Sequence, residues 1–326
     1  MRFGVRSLRT GMVRLSVVAG MVLISSPAFA GLVIVPTFTS NFNTNFGANA
    51  GAAQAAWIAA ANVFESAFTD NIQINITVDA VAGTGTFGSS KSSFIFGQTW
   101  AQLQADALAD AKTANDAIAT GPGGSLSGAD PTGGAEFWVT RSEAKALGII
   151  PSDAANDGIT TFGTGFNFTF SGPIAAGTYD FQGLAAHEIS EVMGRIGLKG
   201  AIISGHANSQ SMLDAFSYTG AGTRALGLAP SGSVGSFSIN GGTTLLKLYN
   251  DAASNGLDTR DWAGGTNDSF NQFSSSDVVN GVSSVDLQEL DVIGYDLAAP
   301  EPSTLMLLGS ALVVAGLIRR RGIGRS

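Results

Sequence analysis

The segment Phe181–Arg195 constrains the fold of this chain more than any other. It carries apolar residues at helical spacing, which predict a helix that packs inside a domain: Ala185, Ala186, Ile189, Val192 and Met193. His187, Glu188 and Glu191 lie on the same helix. Ionisable side chains are costly to bury unless they are paired or bind a metal ion. The sequence therefore predicts a buried helix whose charged face meets a partner or a cation.

Within this helix, His187 and Glu191 are four residues apart and share one face. The imidazole and the carboxylate can converge on one metal ion, and Glu188 beside them can hold and deprotonate a water molecule. Gly194 follows where such a helix should end. The structural alternative is that Glu191 pairs with Arg195 one turn later, while His187 is an ordinary core histidine.

The sequence predicts a processing signal at each end of the chain. Residues 1–30 combine a basic start, an apolar core and the cleavage site Ala28-Phe29-Ala30, as a secretory signal peptide does. Residues 300–326 run from Pro300-Glu301-Pro302 through a short apolar stretch to Arg319–Arg321. This tail resembles the PEP-CTERM sorting signals of Gram-negative bacteria, which an exosortase cuts. The alternative is a permanent anchor, although the apolar stretch is short for a membrane span.

The composition limits the partners. Basic residues concentrate at the two ends, so the stretch between them is more acidic than the net charge of −8 indicates. Such a surface repels nucleic acid, and no nucleic-acid partner is expected. The chain has no cysteine. Any metal must therefore be held by His, Asp, Glu, Tyr or backbone oxygens.

Periodicity gives the order of elements between the signals. It predicts helices over 52–68, 99–114 and 141–147, and a helix or turn over 285–295. It also predicts strands over 72–78, 136–140, 157–162, 165–170, 234–240 and 243–249. Residues 41–51, 83–93 and 121–134 are rich in small residues and are predicted as loops. We expect one domain over 31–299, with an upper lobe 31–197 and a loop-rich lower lobe 198–299.

The helix segment, Gly183–Arg195, resembles a family of metallopeptidase-like proteins that carry the same sorting tail. Further pieces similar to that family are Asp157–Thr160, Leu213–Tyr218, Phe237–Gly242, Asp261-Trp262 and Leu290–Tyr295. The resemblance implies an α+β fold of the zincin, metzincin-like class, with a mixed sheet and an active-site helix. Glu191 replaces the second histidine of that pattern, and Gly197 stands in place of the third.

Two residues compete as the third metal ligand. Asp214 lies in one of the family-like pieces and is favoured on that ground; His206 is the only other histidine. Each also has a structural explanation, His206 in a solvated loop and Asp214 capping a turn. Tyr218 is a candidate donor to an oxyanion. Asp251, Asp258, Asp261 and Asp268 lack the spacing of a calcium loop and are expected to form a solvated acidic face.

These observations favour an exported, metal-dependent peptidase. Zn²⁺, or another divalent ion, would activate water, with Glu188 as the general base on a peptide or protein substrate. Signal peptidase and exosortase would process the chain, which is expected at the cell surface or outside the cell after transient membrane anchoring. The alternative is a catalytically inactive zincin-like protein of the surface or exopolysaccharide matrix, with exopolysaccharide as its partner. A glycan hydrolase is not supported by the spacing of the acids.

Overall fold

A computed structural model describes residues 31–227, 234–250 and 258–299. The expected signal peptide, the expected sorting tail and Asp251 lie outside these residues. The described helices are α1 (Ser40–Phe46), α2 (Ala50–Ala67), α3 (Trp100–Asp110), α4 (Ala114–Thr120), α5 (Arg141–Ala146), α6 (Phe181–Val192) and α7 (Ser284–Asp291). Short 3₁₀ turns cover Gly47–Asn49 and Leu213–Phe216.

Most strands are short. In chain order they are β1 (Val33–Phe38), β2 (Gln73–Val81), β3 (Gly88–Ser92), β4 (Phe94–Gln98), β5 (Phe137–Thr140), β6 (Gly158–Gly163), β7 (Phe168–Thr169), β8 (Tyr179–Asp180), β9 (Ala201–Ile203), β10 (His206–Ser211), β11 (Ser217–Gly220), β12 (Thr223–Arg224), β13 (Ser236–Phe237) and β14 (Lys247–Leu248). The predicted mixture of helices and strands is confirmed: several small sheets are combined with few helices.

The first sheet supports the candidate helix. Its strand order is β1-β2-β6-β3, in which β1, β2 and β6 run parallel and β3 pairs antiparallel with β6 at the edge. Alternate residues of β2 are buried on one face, as the sequence pattern predicts. Helix α2 forms the crossover from β1 to β2 and packs against both β1 and α6.

Helix α6 lies against β3 and β6 as well as α2. The close approach to the sheet depends on Gly158 at the start of β6, because a Cβ atom there would lie 2.7 Å from a methyl group of Val192. At the other end of the helix, the ring of Phe181 packs among Phe46, Phe162 and Phe170, with centroid distances of 4.9–5.5 Å. These contacts fix the apolar side of α6 and leave its charged side facing a cleft.

Two further four-stranded sheets, β4-β5-β10-β9 and β12-β11-β13-β14, complete the described part together with the short β7-β8 pair. Strand β10 follows the expected lobe boundary but pairs in parallel with β5, which precedes it. One hydrophobic core includes residues from both sides of that boundary, among them Trp57, Ile189, Phe216 and Leu290. The division into two lobes stays a prediction.

Two predicted loops are wrong. Residues 41–51 form most of α1, the 3₁₀ turn and the start of α2. Thr39 caps α1 by accepting a hydrogen bond from the N–H of Phe42, a local signal within the sequence. Residues 83–93 contain β3, a Gly/Ser strand stabilised by its pairing with β6 rather than by side-chain propensity.

Candidate metal centre and active site

Helix α6 begins and ends at residues that the sequence marks clearly. Asp180 is its N-cap: one carboxylate oxygen accepts from the N–H of Gly183 at 3.1 Å, and the other accepts from the N–H of Asn280 at 2.9 Å. After the helix, Gly194 has φ of +118°, and a Cβ atom there would lie 3.1 Å from the carboxylate of Glu143. Glycine is therefore required at this turn, as predicted.

The polar face of α6 meets Asp261, which lies far along the chain. His187 Nε2 lies 3.3 Å from Glu191 Oε1 and 3.4 Å from Asp261 Oδ1. His187 Nδ1 lies 2.7 Å from the carbonyl oxygen of Ser269, which can only accept, so Nδ1 carries a proton. The imidazole is thereby oriented with Nε2 toward both carboxylates. Ser90 on β3 donates to Glu191 Oε2 at 2.6 Å and holds that carboxylate from the sheet side.

Arg195 is part of the same cluster and has no solvent exposure. Its Nη1 donates to Asp261 Oδ1 at 2.7 Å, and its Nη2 lies 3.5 Å from Glu191 Oε1. Burial lowers the pKa of His187, but the charges of Asp261 and Glu191 outweigh burial and raise it to about 10. Burial would raise the pKa of Glu191, but His187 and Arg195 bring it down to about 2. Opposite charges therefore compensate one another within the cluster.

Glu188 is the least satisfied acid of the cleft. It is 3% exposed, and its Oε2 has no hydrogen-bond partner among the described residues. Burial first, and the charge of Glu191 second, raise its pKa well above the ordinary value. Its carboxylate fits against β3 because Gly88 has no side chain: a Cβ atom there would lie 2.2 Å from Glu188 Oε1.

His187, Glu188, Glu191 and Asp261 line a cavity of about 750 Å³. One wall is formed by β3 and by aromatic rings, including Phe87 and Tyr179. The opposite wall contains Asp258, Asp261 and the stretch 271–274. A cavity of this size accommodates several residues of an extended chain or a ligand of similar bulk.

His187, Glu191 and Asp261 form a group whose donor atoms all lie within 4.8 Å of one another. A tetrahedral ion with bonds of about 2.0–2.1 Å places neighbouring donors roughly 3.3 Å apart. The observed separations from His187 Nε2, 3.3 and 3.4 Å, agree with that spacing. One imidazole nitrogen and two carboxylate oxygens are also donors that zinc and harder divalent ions accept. The residues present fit a divalent cation.

The structure does not bring Asp214 to His187 and Glu191. Asp214 lies at a separate buried site, where its Oδ1 accepts from Arg260 at 2.7 Å and its Oδ2 accepts from the N–H groups of Leu198, Lys199 and Ser211. No oxygen of Asp214 is left for a metal. Its role is nearer to the structural alternative, since it organises two turns of the backbone.

The other two candidates also lie elsewhere. His206 is on β10, with an exposed side chain 3.1 Å from Glu136 and packed against the ring of Trp138. Tyr218, on β11, is buried against the guanidinium of Arg224 and does not line the cavity. The tyrosine that does line it is Tyr179. Neither His206 nor Tyr218 is brought to His187 and Glu188.

The residue that sequence reasoning did not bring to His187 and Glu191 is Asp261. It belongs to an acidic stretch that was expected to be solvated, yet Asp261 and Asp268 are 4% and 3% exposed. Asp268 pairs with Lys247, and Asp258 lines the cavity. The expectation of a solvated acidic face is therefore wrong for these residues. The signal in the sequence was the family-like pair Asp261-Trp262. Trp262 is completely buried, and Asp261 next to it is buried as well.

Comparisons with known proteins bear on one end of the chain. A model of the PEP-CTERM protein-sorting motif matches residues 298–321, which confirms the predicted sorting signal. That motif implies export, surface sorting and processing by an exosortase. No curated protein and no solved structure matches the chain significantly. In the described ranges, no helix combines the length and apolar character needed to cross a membrane.

Proposed function

We propose that this protein is an exported, metal-dependent peptidase of the zincin type. His187, Glu191 and Asp261 would hold the divalent cation, with Zn²⁺ as the first choice, and Glu188 would be the general base. The observation that carries the proposal is the convergence of these three donor groups in an open cavity, beside Glu188, whose Oε2 has no hydrogen-bond partner in the described part of the chain. Perturbed acids and metal-type donors that share one cavity are typical of catalytic sites.

The cation would polarise the peptide carbonyl and stabilise the negative charge that develops on its oxygen. Glu188 would take a proton from the attacking water and pass it to the departing amine. Burial first, and the charge of Glu191 second, raise the pKa of Glu188 and favour its protonated form in the metal-free protein. A divalent charge beside it lowers that pKa and restores the carboxylate that a base requires.

The cleft also suits an extended substrate. Strand β3 is the last strand of its sheet, and Gly88, Ser89 and Ser90 line the cavity. An edge strand offers backbone N–H and C=O groups to a peptide that lies alongside it. Such pairing would orient the peptide across Glu188 without reading its side chains, and it favours a peptide over a substrate that lacks a regular backbone.

The test compares Glu188→Gln with the parent protein on a library of fluorogenic peptides with zinc present. We expect kcat/KM to fall by at least about 100-fold, because glutamine cannot accept the proton. Bound zinc should stay the same, since Glu188 is not among the three donors. Glu136→Gln is the matched control, because Glu136 pairs with His206 away from the cleft. Full activity in E188Q would refute the mechanism.

A second candidate is a non-catalytic surface or matrix protein on the same scaffold. The observation that favours it is the internal charge balance, in which Arg195 and His187 face Glu191 and Asp261 without any need for a metal. Metal analysis of the purified mature chain separates the two functions. Absence of bound metal after zinc loading, together with binding to exopolysaccharide, would favour this candidate.

A further inference from the structure

Arg195 has no place in the chemistry proposed above, yet it is among the most constrained residues of the cleft. Its Nε donates to Ser190 Oγ at 2.7 Å, and its Nη1 donates to the carbonyl oxygen of Arg260 at 3.2 Å. Its guanidinium carbon lies 4.5 Å above the centre of the Phe270 ring. The guanidinium is therefore held in place behind the cleft, beside Asp261.

The fixed cation shares its acceptors with the candidate metal site. Asp261 Oδ1 is 2.7 Å from Arg195 Nη1 and 3.4 Å from His187 Nε2. Glu191 Oε1 is 3.5 Å from Arg195 Nη2 and 3.3 Å from His187 Nε2. The oxygens that would hold a cation therefore already face a guanidinium, at distances where electrostatic interaction is strong in a buried setting.

The charges have a direct consequence. Two carboxylate ligands would bind a divalent ion tightly and would neutralise its charge. The neutralised ion would then polarise a substrate less strongly. Arg195 adds one positive charge, so the ion, Glu191, Asp261 and Arg195 together would carry a net charge of about +1. Repulsion between the two cations opposes metal binding.

We propose that Arg195 sets the affinity of this site for its divalent cation, weakening the binding so that the two-carboxylate site keeps its electrophilic character. This inference rests on the metal site of the proposed function. Arg195 touches neither substrate nor cation in this role and acts through Glu191 and Asp261. Its effect differs from that of a structural arginine, whose loss would loosen the two carboxylates and weaken metal binding.

The experiment measures zinc affinity by competition with a chromophoric chelator, on metal-free protein. Arg195→Gln removes the charge and keeps an N–H donor for Asp261, while Arg195→Lys keeps the charge. We expect R195Q to bind zinc at least about tenfold more tightly than the parent, and R195K to stay within about threefold of it. Equal or weaker zinc binding by R195Q would overturn the inference.

His187→Gln separates this inference from the function on which it rests. If the parent protein binds no zinc, or H187Q binds it equally well, the proposed metal site itself is wrong. If the parent binds zinc, H187Q does not, and R195Q shows no gain, the metal site stands and the role of Arg195 falls.

Folding of R195Q is followed by its thermal midpoint with and without zinc. Tighter binding predicts a larger rise in the midpoint with zinc than the parent shows, even if the metal-free variant is less stable. Failure of R195Q to fold both with and without zinc would show that Arg195 is needed for structure, which also counts against the inference.

Discussion

Two buried aspartate–arginine pairs in this protein have similar short contacts and different surroundings. In the Asp214–Arg260 pair, both residues have no solvent exposure. Asp214 Oδ1 accepts from Arg260 Nη2 at 2.7 Å and from Nε at 3.0 Å, and three backbone N–H groups bind Oδ2 at 2.8–2.9 Å. Every acceptor position of Asp214 is used, as expected of a structural pair.

In the Asp261–Arg195 pair, the aspartate contacts more than one cationic side chain. Asp261 Oδ1 is shared between Arg195 and His187, and the pair faces a cavity of about 750 Å³ that Glu188 also lines. Glu188 Oε2 has no partner among the described residues. Completely satisfied charges hold the backbone in place, whereas shared and unsatisfied charges beside a cavity are available to a ligand.

Substitution of Asp214 and of Asp258, an acid of the cleft, gives the largest expected contrast. We expect Asp214→Asn to lower the free energy of unfolding by about 3–5 kcal/mol, because Arg260 is left buried without its counter-charge. Asp258→Asn in the cleft should change it by less than about 1 kcal/mol. Burial and the charges of Asp261 and Glu191 raise the pKa of Asp258 to about 7, so a neutral amide replaces a group that already tends to be neutral. Urea denaturation of metal-free protein measures both.

An equal loss of stability in D214N and D258N would mean that the cleft is as much a structural network as the Asp214 site. The contrast between the Asp214 site and the cleft would then fail. A stable D214N would show instead that the three backbone hydrogen bonds to Oδ2 suffice without the ion pair, since the asparagine oxygen can still accept from backbone N–H groups.

The sequence was sufficient to predict the polar residues of α6 that line the cleft, but not to predict that Asp261 lies beside them. Helical periodicity placed His187, Glu188 and Glu191 together, and Gly194 marked the end of the helix. Asp261 could not be placed from the sequence because it lies far along the chain from α6, and local periodicity carries no information on contacts between distant segments. Asp214 was favoured because it lies in a family-like piece, although a buried structural pair explains such a piece equally well.

Strand β3 shows a different limit. Its residues, Gly88–Ser92, lack β-branched and aromatic side chains, so the propensity for a strand is low. The strand forms because β6 pairs with it and because Ser90 and Ser92 donate to the side chain and the carbonyl oxygen of Glu191. These are tertiary contacts, and they also build one wall of the cleft. Part of the candidate site therefore lies in a segment that the sequence predicts to be a loop.

The pH dependence of stability should come from the cleft. The folded-state pKa of His187, about 10, lies above its ordinary value of 6.5, so its stabilisation is complete below pH 6.5 and is lost as the pH rises through 10. Burial raises the pKa of Glu289 to about 8, which acts in the same direction. We expect the free energy of unfolding of metal-free protein to fall between pH 6.5 and 10, by about 4 kcal/mol from His187 alone. Urea titrations across that range measure it.

His187→Gln is the control for this pH effect, because it removes the titrating imidazole and should flatten much of the slope. Zinc should oppose the fall in the parent protein, since metal binding needs a deprotonated Nε2 and becomes easier as the pH rises. A slope that is the same in H187Q and in the parent would place the titrating group outside the cleft.

The smallest expected effect comes from Gly88, on the β3 side of the cleft. A Cβ atom at this position would lie 2.2 Å from Glu188 Oε1 and 2.8 Å from a methyl group of Leu184, both of which end flexible side chains. Gly88→Ala should therefore fold and keep its zinc, while the Glu188 carboxylate is displaced. We expect kcat/KM on the fluorogenic peptides to fall by about ten- to 100-fold, as such a misplacement costs in other enzymes. Gly85→Ala is the matched control, because a Cβ atom at Gly85 would meet nothing within 4 Å. Equal activity in G88A and G85A would mean that the position of Glu188 against β3 does not matter, and that the unsatisfied acid of this cleft is not its base.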